Sequence, residues 1–306
     1  MTQAVILAAG KSTRTWPLTL TRPKPLLKVM NKEIIKHNLD ALQGLVDEVI
    51  IIVGFKKEMI INEIGHKQGK LRIKYLEQES QLGTGHAIKH VETLIKNKFL
   101  VIGGDDIFSQ KDIQSCLRHK YAVLGCKVEN PERFGVFVVK NKEIKKVVEK
   151  PKNFVSDIAN TGLYVFDKTV FSYKLRKSKR GEYEIVDYVN MLAKKEKVIC
   201  EEVKGHWLSV GYPWDLISVN NYLVSKIKNN IRGKLEKNVT VHGTIQVGKG
   251  TVILSGTYIE GNIVIGDNCK IGPNCYLRGN SSIGNNCHIG QAVEIKNSII
   301  MDFAKV

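Results

Sequence analysis

The last quarter of the chain carries an apolar residue at every sixth position. A period of six suits the two-residue alternation of a β-strand and drifts out of phase with a 3.6-residue helix. The side chain two positions earlier is again apolar or small, as at Cys269, Cys275 and Cys287. This pattern predicts a parallel β-helix whose coils bury their apolar side chains against one another. The register runs through Leu235, Val241, Val247, Ile253, Ile259, Ile265, Ile271, Leu277, Ile283, Ile289, Ile295 and Met301.

From Gln3 to about Val210, short β-branched runs alternate with helical stretches. Such alternation predicts a parallel sheet covered on both faces, with ligands bound beyond the carboxyl ends of the strands. A connecting helix is predicted over 213–231, and it divides the chain into domains at 1–231 and 232–306. The predicted strands are 4–8, 48–55, 71–78, 99–104, 121–128 and 134–139, and the predicted helices lie near 32–43, 57–65, 85–96 and 111–119.

Composition excludes several classes of protein. Apolar residues make up 43% of the chain and charged residues 25%, which argues against disorder. The sequence has neither a run of about 20 apolar residues nor a signal peptide, so we expect a cytoplasmic protein without a membrane partner. The six cysteines include no Cys-x-x-Cys pair and are expected to be free buried thiols.

The net charge of +17 favours polyanionic partners, either nucleic acid or phosphate-bearing substrates. Nucleic acid is not expected, because the basic residues lack interleaved aromatic side chains and any known reader motif. The densest basic run, at 174–180, is interpreted as a solvated surface.

A glycine-containing turn, LAAGKSTR at 7–14, follows the first predicted strand. Backbone N–H groups in such a turn can approach a phosphate closely. A Walker A loop would need glycine where Val5 stands, and a dinucleotide fingerprint would need glycines at Ser12 and Arg14. Taken alone, the turn therefore indicates either a phosphate site or a simple turn with capping hydroxyls.

Together with its surroundings, the turn resembles the signature of the nucleoside-diphosphate-sugar pyrophosphorylases, the sugar-1-phosphate nucleotidylyltransferases. The resemblance implies a Rossmann-like nucleotidyltransferase domain within an α/β fold. The repeat resembles the left-handed β-helix of the bifunctional N-acetylglucosamine-1-phosphate uridyltransferases and their archaeal relatives. The segments that keep the family order are RPKPLL (22–27), Gln78 with LGTGHA (82–87), IGGDDIF (102–108), FGV (134–136), EKP (149–151), NTGLYVFD (160–167) and GHWLSVGYPWDL (205–216).

The chemistry implied is attack of a sugar-1-phosphate oxygen on the α-phosphorus of UTP or dTTP, with release of pyrophosphate. Catalysis of this kind depends on positioning and charge neutralisation. The resemblance assigns catalytic roles to Arg14 and Lys24 and the Mg²⁺ ligand to Asp105. It assigns nucleotide binding to Ala8, Ala9, Gly10, Lys11, Gln78, Gly83 and Thr84, and sugar-phosphate binding to Gly135, Glu149, Lys150, Asn160 and Thr161.

One position departs from the family pattern. Ser209 stands where many relatives carry a second metal carboxylate, and Asp106, Asp215 or water could compensate for it. Two functions therefore stay open, a Mg²⁺-dependent transferase and a regulatory or scaffold paralogue that binds nucleotide sugars without turnover. The acceptor is expected to be N-acetylglucosamine-1-phosphate or glucose-1-phosphate.

The β-helix carries Arg278 and Lys296 at positions that bind sugar phosphate in the bifunctional relatives. Acetyl transfer is nevertheless not expected, because His288 does not match the register of the general-base histidine, which would follow Val306. The resemblance also implies a homotrimer assembled through the β-helix.

Overall fold

The structure is a computed structural model that describes residues 2–178 and 180–306. Lys179, within the predicted basic surface, lies outside the described residues. The helices are α1 (Ile34–Leu42), α2 (Lys57–Ile64), α3 (Thr84–His90), α4 (Gln110–Leu117), α5 (Ile185–Leu192) and α6 (Asp215–Val224). The strands up to residue 209 are β1 (Gln3–Ala8), β2 (Lys28–Val29), β3 (Lys32–Glu33), β4 (Glu48–Val53), β5 (Lys67–Gln68), β6 (Leu71–Glu77), β7 (Phe99–Gly103), β8 (Asp106–Phe108), β9 (Ala122–Lys127), β10 (Gly135–Lys140), β11 (Glu143–Glu149), β12 (Ile158–Phe166), β13 (Ile199–Glu202) and β14 (Trp207–Ser209). The later strands are β15 (Asn230–Ile231), β16 (Lys234–Leu235), β17 (Thr240–Val247), β18 (Val252–Ile253), β19 (Tyr258–Ile265), β20 (Lys270–Ile271), β21 (Tyr276–Ile283), β22 (His288–Ile289), β23 (Glu294–Lys296) and β24 (Ile299–Ile300).

The chain forms two compact units. The first comprises residues up to Leu26 together with Ile34–Ser209, and the second comprises Leu27–Glu33 together with Val210–Val306. These units are defined by which residues pack together. The domain boundary predicted at 231/232 was placed by a different criterion, the change from the connecting helix to the six-residue repeat, and it stays a prediction.

The first unit is built on a ten-stranded sheet with the order β10-β11-β13-β9-β12-β7-β1-β4-β6-β5. Strands β7, β1, β4 and β6 are parallel, as their continuous apolar sequences predict. Strand β12 runs antiparallel between β7 and β9 and makes the sheet mixed, which the sequence analysis did not predict. Strands β10 and β11 form a hairpin whose turn residues, Asn141 and Lys142, both have positive φ angles.

Alternate residues of the parallel strands face opposite layers of helices. On β1, Val5 belongs to one buried cluster, which includes residues of α3 and α5. Its neighbour Ile6 belongs to a second cluster, which includes residues of α1, α2 and α4. The sheet is therefore covered on both faces, so that its carboxyl edge is left as the place for a ligand.

The second unit contains the predicted parallel β-helix. Strands β17, β19, β21 and β23 pair in parallel with a register of one 18-residue coil, for example Val241 with Ile259 and Ile259 with Leu277. The register residues Ile253, Ile271 and Ile289 are fully buried in its core. The cysteines in the inward positions are buried free thiols, as expected.

Two segments outside the repeat belong to this second unit. Helix α6 contributes the buried Asn220, whose Oδ1 accepts hydrogen bonds from the backbone N–H of Met30 and the hydroxyl of Ser282. The short β2–β3 hairpin is tied down by an ion pair between Lys28 and Asp302. The sequence analysis did not predict this hairpin, because it had assigned residues from 32 onward to a helix.

Within residues 2–178 and 180–306, no helix has both the length and the apolar character needed to cross a membrane.

Candidate functional site

A cavity of about 430 Å³ lies at the carboxyl ends of β1, β4 and β7. This is the edge of the sheet where a ligand was expected. Ala8, Ala9, Gly10, Gln78, Gly83, Thr84 and Asp105, all predicted from the sequence, line it. Asp106, considered above as a compensating metal ligand, and Ser12 also line it, together with Gln81, Gly162, Tyr164 and Glu182, for which no site role was predicted.

The turn after β1 is held by hydroxyl groups. Ser12 adopts a left-handed conformation (φ 52°), and its carbonyl oxygen accepts hydrogen bonds from the hydroxyls of Thr15 and Thr19 at 2.8 and 2.9 Å. Arg14 lies in the short 3-10 helix Thr13–Thr15, and both Lys11 and Arg14 have exposed side chains. The turn thus presents Gly10 and Ser12 to the cavity. Lys11 and Arg14, the two predicted cations of this turn, are not among the described residues that line it.

Lys24 and Asp105 form an ion pair across 81 residues of sequence. Lys24 lies between two prolines in a 3-10 helix, and its Nζ is 2.7 Å from Oδ2 of Asp105. The lysine side chain is only 4% exposed, whereas the aspartate is 42% exposed. The predicted cation and the predicted metal ligand therefore share one location.

A second carboxylate adjoins this pair. Oδ1 of Asp105 and Oδ2 of Asp106 lie 3.0 and 3.6 Å from the point where Gly103 would carry a Cβ atom. Burial, with the negative charge of Asp105 next to it, raises the pKa of Asp106, and a hydrogen bond from Ser209 opposes this shift. Ser209 and Asp106 are directly paired across β14 and β8.

The chemistry of this donor set fits a hard divalent cation, since Asp105 and Asp106 place two neighbouring carboxylates at the cavity and such cations prefer oxygen ligands. Among the described residues, no group of three or more His, Cys, Asp or Glu side chains could hold a metal. Water and substrate oxygens would therefore have to complete the coordination. Asp215, the first residue of α6, is engaged with the preceding turn, because its Oδ2 accepts hydrogen bonds from the backbone N–H groups of Gly211 and Tyr212.

Gln78 lines the cavity directly after the end of β6. Its buried side chain donates from Nε2 to the carbonyl oxygen of Gly83 at 3.2 Å and lies 3.1 Å from Nδ1 of His86. Burial lowers the pKa of His86, with the charge of His90 as a second cause, and thus favours the neutral imidazole. The amide nitrogen of Gln78 is thus engaged, and its oxygen is the atom available to a ligand.

Gly83 must be glycine at this position. Its φ is +106°, and a Cβ atom would lie 2.5 Å from the carbonyl oxygen of Tyr183. The next residue, Thr84, accepts a hydrogen bond from the backbone N–H of Ile185 at the start of α5. The loop before α3 is thereby clamped against residues 182–185.

The predicted sugar-phosphate residues divide into two groups. A Cβ atom on Gly135 would lie 2.7 Å from Oε2 of Glu149 and 3.7 Å from Cβ of Asn160, so these three residues adjoin one another. Thr161 is buried and its hydroxyl donates to the carbonyl oxygen of Leu124, whereas Lys150 is exposed. The hydroxyl of Thr161 is thus engaged within the protein.

Two side chains missed by the sequence analysis accompany this group. The hydroxyl of Tyr164 accepts a hydrogen bond from Asn160 and lines the cavity. Arg180 lies 3.8 Å from Glu149 and pairs with Glu184 at 2.7 Å. Arg180 belongs to the basic run that was interpreted as solvated surface, while the position of Tyr164 within the NTGLYVFD segment was the signal that could have identified it.

Burial raises the pKa of Glu149, although the charge of Arg180 opposes this shift. The carboxylate form needed to accept hydrogen bonds from sugar hydroxyls is therefore reached at a higher pH than for an exposed glutamate.

Comparison with protein families identifies two matching models. A nucleotidyl transferase model matches residues 3–226. A model for the bacterial transferase hexapeptide, in six repeats, matches residues 262–297.

Individual relatives match different shares of the chain. A protein named bifunctional protein GlmU from Methanocaldococcus jannaschii is 40% identical over 81% of this chain, and the match spans 61% of that relative's length. A bifunctional sugar-1-phosphate nucleotidylyltransferase/acetyltransferase from Sulfurisphaera tokodaii is 35% identical over 99% of this chain and 76% of its own length. The UTP–glucose-1-phosphate uridylyltransferase AglF from Haloferax volcanii is 36% identical over 70% of this chain and 93% of its own.

Among solved structures, the chain is similar to a Bacillus anthracis protein assigned as a glucose-1-phosphate thymidylyltransferase, in complex with sucrose. The TM-score is 0.68 at 32% sequence identity, and the match covers 75% of this chain and 98% of the other.

Proposed function

The chain belongs to the nucleotidyl transferase family, and on that premise we propose that it transfers a nucleotidyl group from UTP or dTTP to a sugar-1-phosphate. A phosphate oxygen of the sugar attacks the α-phosphorus, the bond to the bridging oxygen breaks, and pyrophosphate leaves. The products are a nucleoside diphosphate sugar and pyrophosphate. The observation that carries this proposal is the ion pair of Lys24 and Asp105 beside the cavity at the carboxyl edge of the sheet.

Each side of the reaction has its own residues. Backbone groups of Ala8, Ala9 and Gly10, with Gly83 and Thr84, surround the nucleotide, and the amide oxygen of Gln78 accepts from the N–H of a uracil or thymine ring. Lys11 and Arg14 would neutralise the triphosphate from the turn, and Lys24 the α-phosphate, because fixed cations stabilise developing negative charge. On the sugar side, Gly135 allows close approach, Glu149 and Asn160 bind hydroxyl groups, Lys150 binds the phosphate, and Thr161 adds backbone hydrogen bonds.

Mg²⁺ is the proposed cofactor, with Asp105 as its ligand and the carboxylate of Asp106 beside it. A bound Mg²⁺ neutralises phosphate charge and orients the triphosphate. Oδ2 of Asp105 pairs with Lys24, so Oδ1 is the oxygen of Asp105 that remains for an ion.

N-acetylglucosamine-1-phosphate is the proposed acceptor, with glucose-1-phosphate second. The first choice rests on the resemblance of the hexapeptide repeat to that of the bifunctional N-acetylglucosamine-1-phosphate uridyltransferases, and the second on the AglF relative. The chain spans 61% of the length of the GlmU relatives, and acetyl transfer is not part of the proposal.

We also propose a left-handed β-helix, a homotrimer formed through it and a cytoplasmic location. The 18-residue coils and the matching hexapeptide model support the first two. The domain division at 231/232 belongs to the same set of proposals.

The test is pyrophosphate release from UTP or dTTP with each of the two sugar phosphates and Mg²⁺. We expect release with one pair, its loss in Lys24→Met, and its retention in Lys98→Met. Lys98 is a matched control, because it is a partly buried lysine that precedes the amino end of β7 and donates to the carbonyl oxygen of Leu117.

The alternative, a paralogue that binds nucleotide sugars without turnover, rests on the neutral Ser209 beside Asp106. Binding of UTP by calorimetry without pyrophosphate release from any pair would favour that alternative over catalysis.

A further inference from the structure

Asn38 is a fully buried amide side chain on α1, and its hydrogen bonds end on one turn of the chain. Nδ2 donates to the carbonyl oxygen of Asp106 at 2.6 Å and lies 3.4 Å from that of Gly103. Oδ1 accepts from the backbone N–H of Phe108 at 3.2 Å. The amide thus bridges the end of β7 and strand β8, on either side of the turn at residues 104 and 105.

The other buried residues of α1 are apolar: Ile34, Ile35, Leu39 and Leu42. A polar group among them costs free energy unless its hydrogen bonds are made. An amide is the neutral side chain that supplies a donor and an acceptor at once, and the turn offers carbonyl oxygens and an N–H group to match. The position of Asn38 in an apolar row is therefore explained by the turn it holds.

Asp105 lies at the middle of this turn. On one side the N–H of Gly104 donates to the carbonyl oxygen of Leu7 on β1, at 2.9 Å. On the other side Asn38 holds the backbone of Asp106 and Phe108. The backbone of Asp105 is thus fixed from both neighbours, which leaves its carboxylate directed toward Lys24 and the cavity.

We propose that Asn38 is a positioning residue for nucleotidyl transfer, acting through the backbone of residues 103–108 to hold the carboxylates of Asp105 and Asp106 in place at the cavity. This inference rests on the proposed function. It predicts that loss of the amide reduces turnover because the metal-facing oxygens shift, and displacements of about 1 Å can cost 100-fold in rate.

Gln3 provides a matched control. It is also a fully buried amide with three hydrogen bonds, from Nε2 to Glu48 and to the carbonyl oxygen of Leu94, and to Oε1 from the N–H of Lys96. It stands at the amino end of β1, away from the carboxyl edge that carries the cavity. Gln3→Met and Asn38→Leu therefore remove comparable buried hydrogen bonds from opposite ends of the sheet.

The experiment compares the full-length chain with Asn38→Leu, Asn38→Asp and Gln3→Met. Thermal unfolding, kcat, both KM values, the Mg²⁺ concentration for half-maximal rate, and Mn²⁺ binding by electron paramagnetic resonance are measured for each. We expect both amide-to-apolar variants to lose similar thermal stability. Only Asn38→Leu should lower kcat by about 10- to 100-fold and weaken Mn²⁺ binding, with the KM for nucleotide nearly unchanged.

Asn38→Asp keeps an acceptor for the N–H of Phe108 but turns a carboxylate oxygen toward the carbonyl oxygens of Asp106 and Gly103, so it should lower kcat and stability at least as much as Asn38→Leu. Amide hydrogen exchange of Phe108 should accelerate in Asn38→Leu and not in Gln3→Met.

Equal kcat, metal dependence and Phe108 exchange in Asn38→Leu and Gln3→Met would overturn the inference, since Asn38 would then act only in stability. A wild-type chain without pyrophosphate release would overturn the proposed function instead. In that case Phe108 exchange and Mn²⁺ binding still decide whether Asn38 holds the turn and its carboxylates.

Discussion

Replacing Asp105 by alanine should destabilise the protein more than replacing Lys24 by methionine, because the two partners of this ion pair differ in exposure. The lysine side chain is 4% exposed and the aspartate 42%. Asp105→Ala leaves a buried ammonium group without its counter-charge. Lys24→Met leaves a carboxylate that water already reaches, and places an apolar chain in an enclosed site.

The expected magnitudes follow from these exposures. Removing one partner of a buried pair costs about 3 kcal/mol when the charge left behind is buried. For the half-exposed carboxylate the corresponding loss should be at most about 1 kcal/mol, the usual range for a solvated pair. Both variants should lose turnover by about 100-fold or more, since each removes a charged group to which we assign a role at the reacting phosphates.

Urea unfolding followed by circular dichroism measures the first effect, with equal m-values required for the comparison. Pyrophosphate release measures the second, and Lys98→Met serves as the control lysine. The reasoning is refuted if both variants lose the same free energy of unfolding. It is equally refuted if Lys24→Met keeps more than about a tenth of wild-type turnover.

Three further substitutions test other parts of the protein. Gly83→Ala should lower the free energy of unfolding by about 1–3 kcal/mol and raise the KM for nucleotide. The reason is its φ of +106° and the 2.5 Å between the new methyl group and the carbonyl oxygen of Tyr183. An unchanged KM in steady-state assays would argue against a role of this loop in nucleotide binding. Gly135→Ala should displace Glu149, whose Oε2 would lie 2.7 Å from the new methyl group. The KM for sugar phosphate should rise about 10-fold while the KM for nucleotide stays constant. A rise in the nucleotide KM alone would contradict the assignment of Gly135 and Glu149 to the sugar side. Ile271→Ala, at a fully buried register position, should lower the unfolding free energy by about 3 kcal/mol, and a loss near zero would mean that the coil is not packed as described.

The β-helix was predictable because its signal is local. A residue every six positions determines which side chains face inward, and each coil pairs with the coil 18 residues away. Half of the described strands of the first unit (β1, β4, β6, β7, β9 and β10) were predictable for a similar reason, since their apolar runs need no distant partner to be recognised.

Strand β12 and the β2–β3 hairpin are two features that the local sequence pattern did not predict. The place of β12 between β7 and β9 depends on how distant strands pair. The hairpin was hidden by the apolar residues of α1 that follow it. Neither arrangement can be inferred from spacing along the chain.

For the candidate site, the order of motifs indicated which residues gather at the sheet edge, and several of them line one cavity. The same reasoning treated Arg180 as surface and had no signal for Asn38. The roles of Arg180 and Asn38 depend on partners that are 31 to 70 residues away in sequence, from Glu149 to Phe108.

By itself, the sequence determined the repeat, the order of the elements and the identity of the chemical groups, because these follow from neighbouring residues. Tertiary structure alone decided that Lys24 meets Asp105 and that an amide from α1 holds the turn between β7 and β8. The physical reason is that hydrogen bonds and ion pairs form over a few ångströms of space, and only the packed sheet and its helices bring these distant segments that close.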